Sequence, residues 1–224
     1  MPSLAPAPKQ PTEVRQASLI AAALALAAER SPADVTTAQL AQAIGVTQGA
    51  VFRHFESKEA IWLAVLDHTS ARLLAKLQAA AARHADDPLD ALQAVFEAHV
   101  SFVVAHPGMP RLMFQELQHP HASPLKARVG KLMVSYRQLL QALLKQAQAK
   151  GLLAAGTDLQ AATVLFVGSV QGLVIQSLLA NSLATMRAQA PGVFALYRAG
   201  LTAQAPSAPS SLPPVPHHRK TSPP

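Results

Sequence analysis

Residues 36–59 place the tightest constraint on what this chain can fold into. Thr36 is followed three positions later by Gln39, a spacing at which hydroxyl and amide side chains reciprocally satisfy backbone N–H groups that a first helical turn leaves unpaired. A helix therefore starts there. Leu40, Ala41 and Ile44 recur at one-turn spacing, and Gly45 follows where a helix end commonly takes a left-handed residue. Thr47 caps a second helix, about residues 48–55, and Val46 supplies an apolar side chain to pack between the two. Val51 and Phe55, four apart, form the inward stripe, which leaves Gln48, Gly49, Phe52, Arg53 and His54 facing outward with no acid among them. Ser57 caps a third helix that begins at Lys58, where a phosphate can dock at the positive helix end. The motif is a helix-turn-helix with the outward chemistry of a DNA reader. An amide pairs with adenine and a guanidinium with guanine in the major groove, and Gly49 permits close backbone approach.

The spacing of Thr36, Leu40, Ala41, Gly45, Val46, Gly49, Val51, His54, Phe55, Lys58 and Glu59 resembles the TetR/AcrR family of bacterial transcriptional repressors. The resemblance implies that Thr37, Gln48, Gly49, Ala50, Phe52, Arg53, His54 and Lys58 contact bases or phosphates. Phe52 departs from the family's usual tyrosine, so one hydroxyl contact to phosphate is missing. It also implies an all-α chain with an N-terminal three-helix DNA-binding domain and a C-terminal helical domain for ligand binding and dimerisation. Such a protein is a homodimer on a roughly palindromic double-stranded operator, released by a small-molecule effector.

Composition agrees with a helical protein. Half of the residues are hydrophobic and only ten are glycine, while alanine and leucine dominate between the ends. The formal charge of +7 invites a nucleic-acid reading, but its location argues otherwise. Residues 1–69 hold Lys9, Arg15, Arg30, Arg53 and Lys58 against six acids, so the excess lies in the remainder. Placement rather than net charge carries the DNA argument: Arg15, Arg53 and Lys58 can share a face. The absence of cysteine removes disulfides and thiolate metal sites and fits a reducing cytoplasm, and the first residues lack the charged start and apolar run of an export signal.

Four prolines in residues 1–11 predict a flexible arm, and residues 12–68 the DNA-binding domain, opening with a helix over 13–29 capped by Thr12. From Lys58 no Gly or Pro interrupts the chain before Pro88, so the third helix of the motif runs on as a connector, with a break near residues 84–87. Residues 69–203 form the second domain. Beyond Pro88, breaks at 107–110, 120–124, 151–157 and 191–192 divide it into five helical segments. Phe96, Val100, Val103, Met109, Met113, Phe114 and Leu117, with Tyr136 and Leu140 opposite, either fill a core or line a cavity for an apolar or aromatic compound. Residues 159–186 carry no charge and must be weighed as a membrane span. Gln160, Gln171, Gln176 and Asn181 favour a helix buried in a protein interface, with Gly168 and Gly172 one turn apart. By the same resemblance Gly168, Gly172, Leu173, Gln176, Val193 and Leu196 form a four-helix dimer interface. Residues 204–224, rich in proline, read as a disordered tail.

His99, His106, His119 and His121 raise a metal question, but no cysteine accompanies them and no His-x-x-x-His spacing occurs. No metal and no cofactor is expected. No Gly-x-Ser-x-Gly, phosphate-cradling loop or paired nucleophile and base is present either, so the chain does not read as an enzyme. Two other readings stay open at this level. One is a DNA-binding activator or architectural protein indifferent to ligand. The other is a small-molecule or metal-binding module with a vestigial helix-turn-helix.

Overall fold

The computed structural model describes residues 11–202, all of whose regular elements are helices; the arm around Lys9 and the proline-rich tail lie outside them. α1 spans Thr12–Glu29, α2 Thr37–Ala43, α3 Gln48–Val51 and α4 Lys58–Ala82. α5 spans Pro88–Ala105, α6 Gly108–Gln118, α7 Pro124–Ala149, α8 Leu159–Leu179 and α9 Leu183–Thr202.

The caps read from sequence at Thr36, Thr47 and Ser57 form as hydrogen bonds. Thr36 Oγ1 accepts from Gln39 N at 3.2 Å while Thr36 N donates to Gln39 Oε1 at 2.8 Å, and Thr47 and Ser57 accept from Ala50 N and Ala60 N. Gly45 adopts φ +68°, and Val46 N reaches back to Ala41 O at 2.9 Å, closing α2 with a left-handed turn. The start of α1 differs from expectation: Pro11 holds the cap position without a side-chain bond and Thr12 is the first helical residue.

A larger difference lies between α8 and α9. Pro191 and Gly192 do not divide them; Pro191 sits inside α9 on its exposed face, where the missing N–H removes one ladder bond and the helix continues. The division falls at Asn181, which adopts φ +52° and lets Ser182 N donate to Ser177 O at 3.0 Å. Asparagine is the non-glycine residue that best tolerates this backbone, so the same closure that Gly45 gives α2 is made here without glycine.

α4 is one continuous helix of 25 residues running from the reading head into the rest of the molecule. Its first turns pack on α1 through Ile61, Trp62 and Val65, and later turns lie against α5 and α7 through Leu73 and Leu77. Behind it, α5, α7, α8 and α9 surround an aromatic cluster in which Phe96 and Phe166 meet edge to face at 5.3 Å and Phe166 meets Tyr197 at 5.4 Å. α6 occupies the junction. Gly108, its first residue, is pressed onto α1, where a Cβ would collide with the Leu24 carbonyl oxygen and stand 3.0 Å from the Ala27 Cβ. Gln115 of α6 accepts from Ala33 N at 2.9 Å and from Ser31 Oγ at 3.2 Å, tying the same helix to the loop between α1 and α2.

Candidate nucleic-acid interface and ligand cavity

The reading head is assembled from capped elements on a rigid base. Val51 and Phe55 are buried and anchor α3, while Gln16 Nε2 of α1 donates to His54 O at 3.1 Å and fixes the turn that follows. α3 is shorter than the residues 48–55 expected: it ends at Val51, and Phe52 to His54 continue as turns, with His54 N bonded to Val51 O at 3.0 Å. Gln48, Gly49, Phe52 and Arg53 are exposed together, and the Arg53 guanidinium makes no salt bridge or hydrogen bond among the described residues. A Cβ at Gly49 would meet no protein atom within 4 Å, so packing within the chain does not require glycine there. Thr37 and Gln48 are joined, the Gln48 amide donating to Thr37 Oγ1 at 2.7 Å, which aligns the start of α2 with the start of α3.

Three expected residues sit differently from the others. Ala50 is half-buried, and His54 is half-buried with a buried Nδ1 that has no hydrogen-bond partner among the described residues, so its imidazole turns partly inward. Lys58 stands in the first turn of α4, but its ammonium donates to Ala33 O at 2.7 Å, using one of three N–H bonds within the protein.

A narrow cavity of about 60 Å³ lies behind the head, walled by α4, α5, α6, α7 and α8. Of the residues expected to line it, Val103, Met109, Met113, Phe114 and Leu117 do so. Phe96, Val100, Tyr136 and Leu140 instead fill the core beneath it. The remaining wall comes from Leu73, His99, Phe102, Pro110, Met133, Val167, Val170, Gln171 and Val174. The α8 contribution escaped sequence reasoning because that helix is apolar all round and was assigned wholly to an interface. His99 Nδ1 lies 2.9 Å from the Tyr136 hydroxyl, with the rings edge to face. Burial pushes the His99 imidazole down to about 4, so it is neutral at pH 7, and burial raises the Tyr136 and Tyr197 phenols well above their usual range. The other histidines questioned as a metal cluster are apart from it: His106 stacks on Phe102 at 4.4 Å, and His119 and His121 are exposed.

The outer faces of α8 and α9 form an open apolar groove lined by Gly172, Leu173, Gln176, Val193 and Leu196, with Gly168 exposed nearby on α8. Leu196 and Leu179 are each 77% exposed and Leu165 58%. Leu173 is mostly turned into its own core and shows the groove only an edge. By length and composition α8 could cross a membrane, with a mean hydropathy of 1.7, yet 44% of that segment is buried against neighbouring helices.

Comparison with known proteins follows this division. Residues 19–65 match the family of bacterial regulatory proteins called tetR, and residues 85–175 match the tetracyclin repressor-like C-terminal domain. Nucleoid occlusion factor SlmA of Haemophilus influenzae is 31% identical over 124 residues, which are 53% of this chain and 54% of that protein. SlmA of Glaesserella parasuis is 27% identical over 139 residues, 60% of this chain and 68% of that protein. The chain thus spans about half the length of the curated relatives it matches first. Among solved structures, the fatty acid degradation regulator FadR from Bacillus halodurans superposes with a TM-score of 0.74 at 21% identity, over 87% of this chain and 98% of that one. FadR from Bacillus subtilis, in complex with stearoyl-CoA, gives 0.72 at 18% over 83% and 98%. KstR2, the ketosteroid transcriptional regulator of Mycobacterium tuberculosis, gives 0.70 at 21% over 84% and 95%. These likenesses show the fold, and the two family matches fall one on the reading head and one on the helices behind it: the chain belongs to the TetR family of bacterial regulatory proteins.

Proposed function

We propose that this chain is a homodimeric, sequence-specific DNA-binding transcriptional regulator of the bacterial cytoplasm, a repressor released from its operator by a small apolar or aromatic effector. The observation that carries the reading is the position of α6, one helix that walls the cavity with Met109, Met113 and Phe114 and seats Gly108 on α1 of the head. In this reading Gln48 and Arg53 address base edges, and Phe52 offers an apolar contact such as a thymine methyl. Thr37, Lys58 and the first turn of α4 address phosphates, Gly49 and Ala50 keep the backbone close, and His54 positions the turn. Two heads, one per subunit, enter successive major grooves about one helical turn apart. The subunits meet through the α8 and α9 groove, which accounts for an apolar exposed face without a membrane.

Release follows from volume. A cavity of about 60 Å³ is well below the roughly 300 Å³ of a typical small-molecule site, so an effector must widen it. The flexible side chains of Met109, Met113 and Met133 can repack, and α6, like α4, is a wall in direct contact with the head. A FadR fold solved with stearoyl-CoA supports an effector with an apolar body. A coupling of about 1–3 kcal/mol would lower operator affinity roughly 5- to 150-fold. The same small volume favours a second reading, a DNA-binding protein that answers to no ligand. Selection of a binding sequence from random duplexes, then a ligand screen on the bound complex, separates them. Release by an apolar compound supports the repressor, whereas binding unaffected by any ligand supports the second reading, and no selected sequence removes both.

A further inference from the structure

Two of the side chains around the cavity are polar, His99 and Gln171. Gln171 is exposed to solvent, whereas His99 is half-buried and rests on Tyr136, which stands beneath it with 1% of its surface accessible. The single hydrogen bond that the Tyr136 hydroxyl makes among the described residues is the 2.9 Å contact to His99 Nδ1. A phenolic O–H sealed from water must donate to something, because a buried donor left unmade is costly. Nδ1 can accept only when it carries no proton. The ring proton therefore sits on Nε2, which uses no protein partner among the described residues, so the neutral ring is left with an unused N–H donor beside the cavity.

Resting on the effector reading of this cavity, we infer that His99 is its hydrogen-bonding anchor, offering Nε2–H to an oxygen acceptor, a carbonyl, ether or hydroxyl, on an otherwise apolar and uncharged effector. The charge restriction comes from the walls. Among the described residues no lysine, arginine, aspartate or glutamate lines the cavity, so a carboxylate or ammonium group would be buried without an opposite charge. The neutrality of His99 under burial agrees, since the ring brings no charge to attract an anion. Tyr136 acts through His99 as a positioning residue: it fixes the tautomer and so decides that the cavity presents a donor rather than an acceptor.

The test compares acetophenone with alpha-methylstyrene, which has the same shape with a methylene in place of the carbonyl oxygen, and with benzoate as the charged control. Calorimetric titration of the full-length protein should give about tenfold tighter binding of acetophenone than of alpha-methylstyrene, with benzoate weakest. In His99→Phe both uncharged probes should bind alike. Equal binding of the two in the wild type, a preference that survives His99→Phe, or tightest binding of benzoate each overturns the anchor while leaving the cavity reading in place. Failure of all three probes to bind overturns the cavity reading and the anchor with it. Nitrogen-edited NMR of the unliganded wild-type protein gives a readout free of any ligand or variant. It should find the His99 proton on Nε2, moving into exchange between the two nitrogens in Tyr136→Phe, and a proton on Nδ1 in the wild type overturns the assignment.

Discussion

Replacing Gly108 by alanine adds one methyl group where the cavity wall rests on the reading head. That Cβ would collide with the Leu24 carbonyl oxygen, stand 3.0 Å from the Ala27 Cβ and 3.1 Å from Ala28 N. These are backbone or Cβ atoms of a helix, so none can swing aside as a long side chain would. Two effects oppose each other. Alanine in place of glycine in a helix ordinarily stabilises by about 0.5–1 kcal/mol, less at a first position such as this. Overpacking of a tight contact costs about 1–3 kcal/mol, so the net is a destabilisation on the order of 1–2 kcal/mol. For a protein of this size that lowers Tm by roughly 2–8 °C, measured by calorimetry on the dimer at fixed concentration. Gly130, exposed on α7 with no atom within 4 Å of the place a methyl would take, is the control: there alanine should raise stability. The same displacement should loosen α6 from α1 and weaken operator binding without any ligand. Unchanged or higher Tm together with unchanged operator affinity in Gly108→Ala would refute the claim that this contact couples cavity and head.

Arg53→Ala should cost about 1–3 kcal/mol of operator affinity in a fluorescence anisotropy titration, since its guanidinium is exposed and uncommitted within the chain; equal affinity would remove it from the reading face. Gly172→Lys places a charge in the α8 and α9 groove and should yield a monomeric mass by light scattering, because burying an unpaired ammonium costs several kcal/mol. A dimeric mass would move the interface elsewhere. His99 titrates near 4 when folded and near 6.5 when unfolded, so the unfolded state binds the extra proton first. Its contribution is present above pH 6.5 and is lost as pH falls toward 4, about 3 kcal/mol over that window. Urea unfolding at neutral and mildly acidic pH should show a smaller loss in His99→Gln than in wild type. Asp87, lowered chiefly by the Asp90 backbone N–H against the opposing effect of burial, titrates below its ordinary 3.8 and does not enter the same window.

The elements were legible where a local signal stops or starts a helix. Thr36, Gln39, Gly45, Thr47 and Ser57 each act on neighbours within a few residues, and the structure forms those caps. Pro191 misled because proline is a strong breaker in general but is tolerated on the solvent face of α9, while the left-handed turn that ends α8 came from Asn181, where no break was expected. α3 fell short of Phe55 for a related reason: periodicity places Val51 and Phe55 inward, but turns satisfy that as well as helix does. The cavity was half legible. Met113 and Phe114 lie on one predicted helix with Met109 in the break before it, whereas His99 meets Tyr136 across 37 positions and α8 turns Val167 and Val170 toward the cavity from a helix with no polar stripe to orient it. Gly108 carried no signal as a coupling point, since its importance comes from the α1 backbone about 80 positions away in sequence.

Filling the cavity is held to move α6 and with it the grip on α1. Anisotropy of a fluorescent operator, selected on this protein and titrated at fixed salt with and without saturating acetophenone, tests that coupling directly. The expected result is an operator Kd raised roughly 5- to 150-fold by the ligand, with the effect reduced in Gly108→Ala, where the contact is already disturbed. An operator Kd unchanged by ligand that calorimetry shows to be bound would contradict it.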